Sequence, residues 1–418
     1  MNFKVKEVVR FYNPLTLILY FRVRSESRSY RTPRIMKRIE RKNLKNLQRT
    51  KMYKKVNFTL SEGSKLITYK DDLRRELSSY RVQYFGLNLS RRILVSASTS
   101  GTTGERLRLQ RNLYDLSLEE AFQRVWRGTI GWKLLDRTIV LRGDFPQEFE
   151  KGQLALRVYG TPRLYLNTFA LKSGNIQEYY NQIVKYGPKV LYCYPTIAVS
   201  LAKLIENAKL PSVSIPKIVF SSEYLEKEDR ELLIRIFNSQ VFGWYGNGER
   251  TVAAGQCKKG NYHFFWNYSL IQLSDNKEIF STPLSFSAFK VINYATGDFV
   301  RELYKTYCEC GNPSEYATEI LGRNDEFLYH SDGTKMPMHH TQIFRDEPTI
   351  LESKIMQNED GSIEIEISPI NQSEDVIERI KSNMQSRLPE FEVTIRSVEK
   401  VQRSKSGKLR IVESKFIK

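Results

Sequence analysis

The chain has 418 residues, of which 40% are hydrophobic and 12% aromatic, and its formal net charge is +19. At roughly 150 residues per domain this length gives two or three domains with a large core, and the hydrophobic and aromatic content is that of an ordinary soluble globular protein. Four cysteines are too few for a disulfide scaffold, which points to a reducing compartment.

The most apolar N-terminal run is Pro14–Phe21, "PLTLILYF", closely flanked by Arg10 and Arg22. It falls short of the ~20 residues that span a bilayer, and no small-residue cleavage site follows it, so the chain reads as cytoplasmic. Between Arg22 and Lys55 there are fourteen Lys or Arg against two Glu, a net of +12. Most of the excess charge therefore sits in one block. Part of it, 34–55, has helical character, with Ile35, Ile39, Leu44 and Leu47 loosely on one side. Such a block suits a solvated helix face, peripheral docking to an anionic membrane, or attraction of polyanionic ligands. No nucleic-acid motif accompanies it.

The next notable stretch is Ser96–Glu105, "SASTSGTTGE". Glycine lets backbone approach closely, each Ser or Thr supplies a donor, and successive N–H groups form a concave anion site. Thr99, Ser100, Gly101, Thr102, Thr103 and Gly104 thus have the composition of a phosphate cradle. A flexible surface loop has the same composition. No Lys follows the second Gly, so this is not the Gly-x-x-x-x-Gly-Lys phosphate loop.

From about Lys189 the pattern alternates. "KVLYCYP" reads as a buried strand and 196–208 as a helix. "KIVFSSE" is a second strand, 226–238 an amphipathic helix, and "QVFGWYG" a third strand. Alternation of this kind predicts a parallel sheet with crossover helices, which binds ligands at the carboxyl ends of its strands. "SSE" and "YGNGE" fall at such ends. Cys193, in an apolar strand, reads as core. Between Gly255 and Val300 the helical period gives way to short β-like runs. After Gly322 come a probable hairpin ("ILESKIMQNEDGSIEIEISP"), a helix over 374–387, a strand ("FEVTIRSV") and a basic tail. This predicts a separate α+β unit of about a hundred residues.

Four later segments give the Ser/Thr/Gly run a context. "YGNGE" carries Glu249, "YATGD" carries Asp298, "GRND" lies at the compositional boundary, and "RSKSGKLR" carries Lys408. Singly, Lys408 reads as a solvated surface lysine, Asp298 as a turn residue and Glu249 as a helix N-terminal acid. In this order, the set resembles the adenylate-forming (ANL) superfamily of acyl-CoA synthetases, aryl-CoA ligases and adenylation domains. Within it, the chain is most similar to the phenylacetate–CoA ligase branch, including CapK-like capsular polysaccharide proteins. "MYKK" and "YKDDLRREL" match that branch's lead-in, and the resemblance runs from Tyr53 to the end.

The resemblance implies an α/β fold. A large N-terminal domain, 1–322, would hold mixed or parallel sheets, crossover helices and a β-rich subdomain, with a basic helical lead-in to about residue 90. A small mobile α+β domain, 323–418, would follow. It implies ATP-dependent activation of a small carboxylic acid to an acyl-adenylate, with loss of pyrophosphate. Acyl transfer to CoA and release of AMP would follow. The Thr99–Gly104 run would hold the β- and γ-phosphates, and Glu249 would help hold Mg²⁺. Tyr245 and Gly246 would line the adenine and α-phosphate region. Ser222, Glu223 and Tyr224 would contact adenine, and Asp298 would accept from the ribose hydroxyls. Arg323 would sit near ribose or phosphate, Asp325 at the hinge, and Lys408 at the substrate carboxylate and α-phosphate.

Departures from the family pattern bear mainly on the acceptor. Gly248 stands where Thr or Ser usually precedes the Glu, and "DEFLYHSDGTKMPMHH" is longer and more polar than the usual post-hinge loop. An amine or hydroxyl acceptor, as in capsule assembly, is therefore the alternative to CoA, and a non-catalytic nucleotide-binding scaffold is a third reading. A homodimer is a further expectation.

Cys257, His263, Cys308 and Cys310 gather in the β-like part of the chain. Three thiolates and an imidazole make a closed tetrahedral Zn²⁺ site. Reduced cysteines beside an unrelated histidine would read the same, and the C-x-C spacing is tight for zinc. The phenylacetate–CoA ligase branch has a similar arrangement, which implies a structural zinc.

Overall fold

The computed structural model describes residues 3–54, 66–83, 94–98, 107–142, 148–286, 288–323, 327–331, 335–337, 344, 347, 349–370, 374–387, 390–403 and 408–416. The Thr99–Gly104 run and Asp325 lie outside the described residues, as does the side chain of Arg323. The chain forms two compact units. One comprises Met1–Val5, Leu135–Val241 and Gly322–Lys418; the other comprises Lys6–Leu134 and Phe242–Leu321.

In the first unit, five strands lie in the order Lys217–Ser221, Val190–Cys193, Thr138–Leu141, Arg163–Leu166 and Ala155–Val158. The first four run parallel, and the outermost pairs antiparallel, which makes the sheet mixed. The parallel strands are apolar on both faces because helices cover them. Helix Pro195–Asn207 starts on a proline, whose fixed φ and missing N–H suit a first helical turn, and it is buried along most of its length. Helix Lys227–Phe237 buries only Leu233, Ile236 and Phe237, and ends where Asn238 turns left-handed at φ 44°. The expected strand–helix–strand order over 190–237 is thus present.

The residues after Gly322 build their own core in this unit. Ile350–Gln357 and Ile363–Pro369 form the antiparallel hairpin expected from the sequence. Ile363, Ile365 and Ile367 are buried, while Glu364 and Glu366 between them are only half-buried, as a period of two requires. Val393–Ser397 and Val412–Ser414 flank the hairpin in parallel, and helix Glu374–Arg387 covers the sheet with Val376, Ile380 and Met384. The stretch expected as a basic tail therefore contains a strand.

In the second unit, helix Pro14–Arg28 packs along helix Leu113–Thr129, which hydrophobic periodicity did not single out. Asn112 caps the latter by accepting from the Asp115 N–H at 2.8 Å. The basic helix runs over Pro33–Leu47, shorter than the 34–55 span expected. Its amphipathic stripe ends at Leu47, after which the Thr50 hydroxyl donates to the Leu47 carbonyl in a turn. In the β-like region Ser269–Leu273, Glu278–Pro283 and Tyr294–Val300 pair antiparallel in that order, in a four-stranded sheet whose fourth strand is Ile320–Arg323. It also holds the hairpin Ala253–Gln256 with Tyr262–Phe264, whose second strand pairs with Tyr316–Ala317. Strand Gln240–Gly246 forms as expected, and its Trp244–Gly246 end pairs antiparallel with the first hairpin strand.

Gly255 in that hairpin lies against the Trp126 indole, whose Nε1–H donates to the Gln256 carbonyl at 2.9 Å. A Cβ at position 255 would lie 2.2 Å from Trp126 Cδ1. Gly255→Ala should therefore cost about 1–3 kcal/mol of stability by overpacking, read as a lower urea midpoint at unchanged slope. An unchanged midpoint would mean that the ring can move aside.

Candidate functional site

The first unit gathers one group of expected site residues. The strand Lys217–Ser221 is followed by Ser222, held at φ 76°, a conformation costly for any residue but glycine. That turn aims Glu223 at the start of helix Pro195–Asn207. The helix has no side-chain cap from its own N-cap residue, Tyr194. Glu223 supplies one from elsewhere in the chain: its Oε2 accepts from the Thr196 N–H at 3.1 Å and from the Thr196 hydroxyl at 2.9 Å. Its other oxygen accepts from the Leu409 N–H at 3.2 Å. Burial pushes the Glu223 carboxyl above its usual range, against the opposing pull of Arg403, Thr196 and Lys408.

The C-terminal segment lies along the same edge. Lys408 Nζ stands 5.7 Å from the centre of the Tyr194 ring. Arg403 donates to the Thr196 hydroxyl at 3.1 Å and to Glu352 at 2.7 Å, a pair in which both side chains are buried. Arg142, just after the strand Thr138–Leu141, stacks over Tyr194 and Tyr192 at 4.3 and 4.9 Å. It donates to both phenol oxygens and to the Ser221 hydroxyl. Three parallel strands therefore deliver Arg142, Tyr192, Tyr194 and Ser221 to their carboxyl ends, where such sheets bind ligands. Ser222 and Tyr224 are exposed beside them.

The second unit gathers the other group. Thr296, Gly297 and Asp298 form an irregularity in the pairing of Tyr294–Val300 with Glu278–Pro283. Gly297 has φ 76°, which favours glycine, and its N–H donates to Glu278 at 2.9 Å. The Asp298 N–H donates to the Thr296 hydroxyl at 3.1 Å, and its carboxylate accepts from the Tyr245 hydroxyl at 2.8 Å. The "YATGD" acid and the "YGNGE" tyrosine thus meet directly. Gly246 follows Tyr245 at the strand end, where an added Cβ would touch Trp244 and the Val252 carbonyl at 3.4 Å.

Glu249 is buried beside Lys70, with 3.6 Å between their charged atoms. Arg111 donates to the Gly248 carbonyl, and Arg250, at φ 58°, donates to the Asp115 carbonyl at 2.7 Å. Burial pulls the Arg111 guanidinium down to about 10, helped by Arg250 and opposed by Glu119, Tyr268 and Glu249. Arg111, Asp115, Glu249 and Arg250 line a pocket with Phe286 and Phe289. Glu249 carries the oxygen donor that Mg²⁺ takes, and in this structure that carboxylate pairs with Lys70.

Cys257, His263, Cys308 and Cys310 also come together: their ligand atoms lie within 4.8 Å of one another. His263 Nδ1 sits 3.2 Å from the Ser314 carbonyl, which as an acceptor fixes the proton there and leaves Nε2 facing Cys310 Sγ at 3.2 Å. The Lys259 N–H donates to Cys257 Sγ, while Asn261 and the Cys310 N–H donate to Cys308 Sγ. Burial alone would push the Cys308 thiol up, but those donors bring it below its usual range. Cys310 is pushed up to about 12 by burial and by the neighbouring thiols. Crowded thiols of this kind are relieved by a divalent cation, and the donor set fits a closed tetrahedral site. Cys193 is fully buried in its strand, as expected of a core residue.

The sequence reading did not single out Arg111, Arg142, Tyr194, Arg250 or Arg403. Arg403 lies inside "RSKSGKLR" and Tyr194 inside "KVLYCYP", so the quoted segments contained both. Position in a strand-end motif was the available signal; the partners were not.

No protein-family model matches the sequence, and no curated protein matches it. Among solved structures, the fold is similar to that of 2-hydroxyisobutyryl-CoA ligase in the postadenylation state in complex with R3-HIB-AMP. The TM-score is 0.69 at 14% identity, over 92% of this chain and 90% of that one. The same ligase with 2-HIB-AMP and CoA in the thioesterification state gives 0.54 at 16% identity, over the same 92% and 90%. A structure from a study of fatty acyl-adenylate ligases of E. coli and L. pneumophila gives 0.50 at 14% identity, over 75% of this chain and 67% of that one. This chain is therefore structurally similar to adenylate-forming CoA ligases. It has their α/β fold, with a large mixed sheet, a β-rich subdomain and a small C-terminal mixed sheet.

Proposed function

We propose that this chain is an AMP-forming carboxylate ligase that activates a small organic acid with ATP and passes the acyl group to CoA. The observation that carries the reading is the meeting of two motif segments: the Leu409 N–H is bound to Glu223, and Lys408 lies over Tyr194 beside it. A lysine held beside the expected adenine segment is what an adenylation site requires. The similarity in fold to a CoA ligase over 92% of the chain supports the same reading.

In the first half-reaction a carboxylate oxygen attacks the α-phosphorus, the bond to the β-phosphate oxygen breaks, and pyrophosphate leaves. Lys408 would neutralise charge on the attacking carboxylate and the α-phosphate. Asp298, held by Tyr245, would accept from the ribose hydroxyls. Tyr224, Ser222 and Glu223 would border the adenine, and Gly246 the α-phosphate. Thr99–Gly104 would hold the outer phosphates, with Arg323 near the ribose and Asp325 as hinge. Glu249 would hold Mg²⁺, which supplies charge neutralisation at the phosphates. In the second half-reaction a thiol sulfur attacks the acyl carbon and AMP leaves. The division into domains 1–322 and 323–418 and the phenylacetate–CoA ligase or CapK-like branch are part of this proposal. So is a structural zinc at Cys257, His263, Cys308 and Cys310.

Lys408→Ala should lower carboxylate-dependent ATP–pyrophosphate exchange by about 10²–10³-fold while leaving the thermal midpoint intact. Exchange at the wild-type rate would remove the Lys408 assignment, and no exchange by the wild type with any of a panel of acids would favour the scaffold reading. AMP release with CoA compared with amine and hydroxyl acceptors identifies the second substrate.

Asp298→Ala should weaken ATP binding by roughly tenfold, measured by calorimetry, because a charged acceptor for the ribose is lost. Unchanged affinity would overturn the ribose role. Metal analysis of protein purified without chelator should find about one zinc per chain, and His263→Ala with Cys310→Ser should lose it together with some thermal stability. Metal-free wild type with intact thiols would overturn the zinc site.

A further inference from the structure

The helices Phe3–Phe11, Pro14–Arg28 and Pro33–Leu47 carry an arrangement of charge and apolar surface that the ligase chemistry does not use. Between residues 3 and 54 there are three acids, Glu7, Glu26 and Glu40, and none is exposed. Glu7 and Glu26 are buried. Three bases answer acids, Arg10 beside Glu7 and Glu120 and Arg22 and Arg38 beside Glu26, while Lys6, Arg24 and Arg28 are exposed, as are Arg34, Lys37, Arg41 and Lys45 on the following helix. This surface is positive because folding turned its acids inward, a feature that net charge alone does not reveal.

The outward side of the second helix is apolar where it should be polar. Helix Pro14–Arg28 buries Thr16, Leu19, Val23 and Glu26, spaced for one helical face. That face lies on helix Leu113–Thr129: Arg22 donates to the Tyr114 hydroxyl at 2.7 Å and Asn13 to the Ser117 hydroxyl at 2.9 Å. The preceding turn reaches the same helix, where Arg124 donates to the Phe11 carbonyl at 2.8 Å. The opposite side then carries Leu17, Ile18 and Phe21, exposed at 49%, 66% and 59%; Val9 and Tyr12, just before this helix, are exposed at 55% and 60%. Arg24 and Arg28 continue that stripe at helical spacing.

We propose that this face docks on the surface of an anionic phospholipid bilayer, with Leu17, Ile18 and Phe21 entering the headgroup–acyl boundary and the surrounding Lys and Arg pairing with lipid phosphates. An interfacial helix needs this combination of protruding apolar side chains and a cationic surround. No helix among the described residues is long and apolar enough to cross a membrane, so the contact is peripheral. A second copy of the chain is a poor occupant, since a two-fold contact would set one positive face against another. Nucleic acid would use the bases and leave the five apolar side chains without a partner.

Co-sedimentation of the full chain with vesicles tests this. Vesicles containing about one-third phosphatidylserine should bind at least ~10-fold more protein than pure phosphatidylcholine vesicles, with the difference abolished by high salt. Leu17→Ser with Ile18→Ser and Phe21→Ser should abolish most of that binding, and Arg24→Glu with Arg28→Glu should do the same. Both variants change exposed positions and should keep the wild-type thermal midpoint. Equal binding to the two vesicle types would overturn the proposal. Full binding by the triple serine variant would also overturn it, because charge-only adsorption ignores the apolar stripe. So would a wild-type dimer in light scattering that the serine variant converts to monomer, or tight binding to single-stranded RNA that vesicles do not compete away.

Discussion

Glu223 is the residue on which the first unit's site depends. Its carboxylate receives the Thr196 N–H at a helix start and the Leu409 N–H from near the chain terminus, so three distant segments share one acid. The helix needs an anion because its first N–H groups have no partner of their own, and its N-cap residue, Tyr194, offers no side-chain bond. The left-handed Ser222 turn brings the acid there. Once Glu223 is held, the C-terminal segment has a fixed landing point, and Lys408 and Arg403 follow from it. A half-buried carboxylate bonded to three donors is costly to remove, since its partners would be left unsatisfied.

The second unit solves a similar problem with backbone irregularity. An uninterrupted strand would alternate side chains between two faces. The break at Gly297 re-aims Asp298 to the Tyr245 hydroxyl and lets the Thr296 hydroxyl accept the backbone donor that the ladder no longer uses. The Cys/His cluster uses the turn between Gln256 and Tyr262 and the segment before Ser314, each contributing donors to a sulfur. Where charge gathers, it is answered locally: Lys70 stands against Glu249, and Tyr268 donates to Glu119 at 2.7 Å.

Residue pattern was a good guide wherever the chain repeats with the period of the element it forms. The alternating isoleucines of 363–367, the helix over 374–387 and the strand–helix order from 190 to 237 were all readable. So was the pairing of distant motif letters with a fold. Short strands of four residues, such as Thr138–Leu141 and Arg163–Leu166, were not, because so few positions carry no period that stands out from chance. The helix Leu113–Thr129 was missed for a different reason: it is buried on several sides, so polar and apolar positions do not separate cleanly.

The sequence by itself determined which segments become strands and helices over much of the chain, where the basic block lies, and which residue types are available for anion and metal chemistry, because these depend on local spacing and composition. Tertiary structure alone decided that Glu223 caps the helix after Tyr194, that Tyr245 meets Asp298, that Cys257 and His263 meet Cys308 and Cys310, and that Glu7 and Glu26 turn inward and leave a positive face. Each of these joins residues far apart in the chain. Their meeting is set by packing and by the need of buried polar groups for partners, which local sequence does not encode.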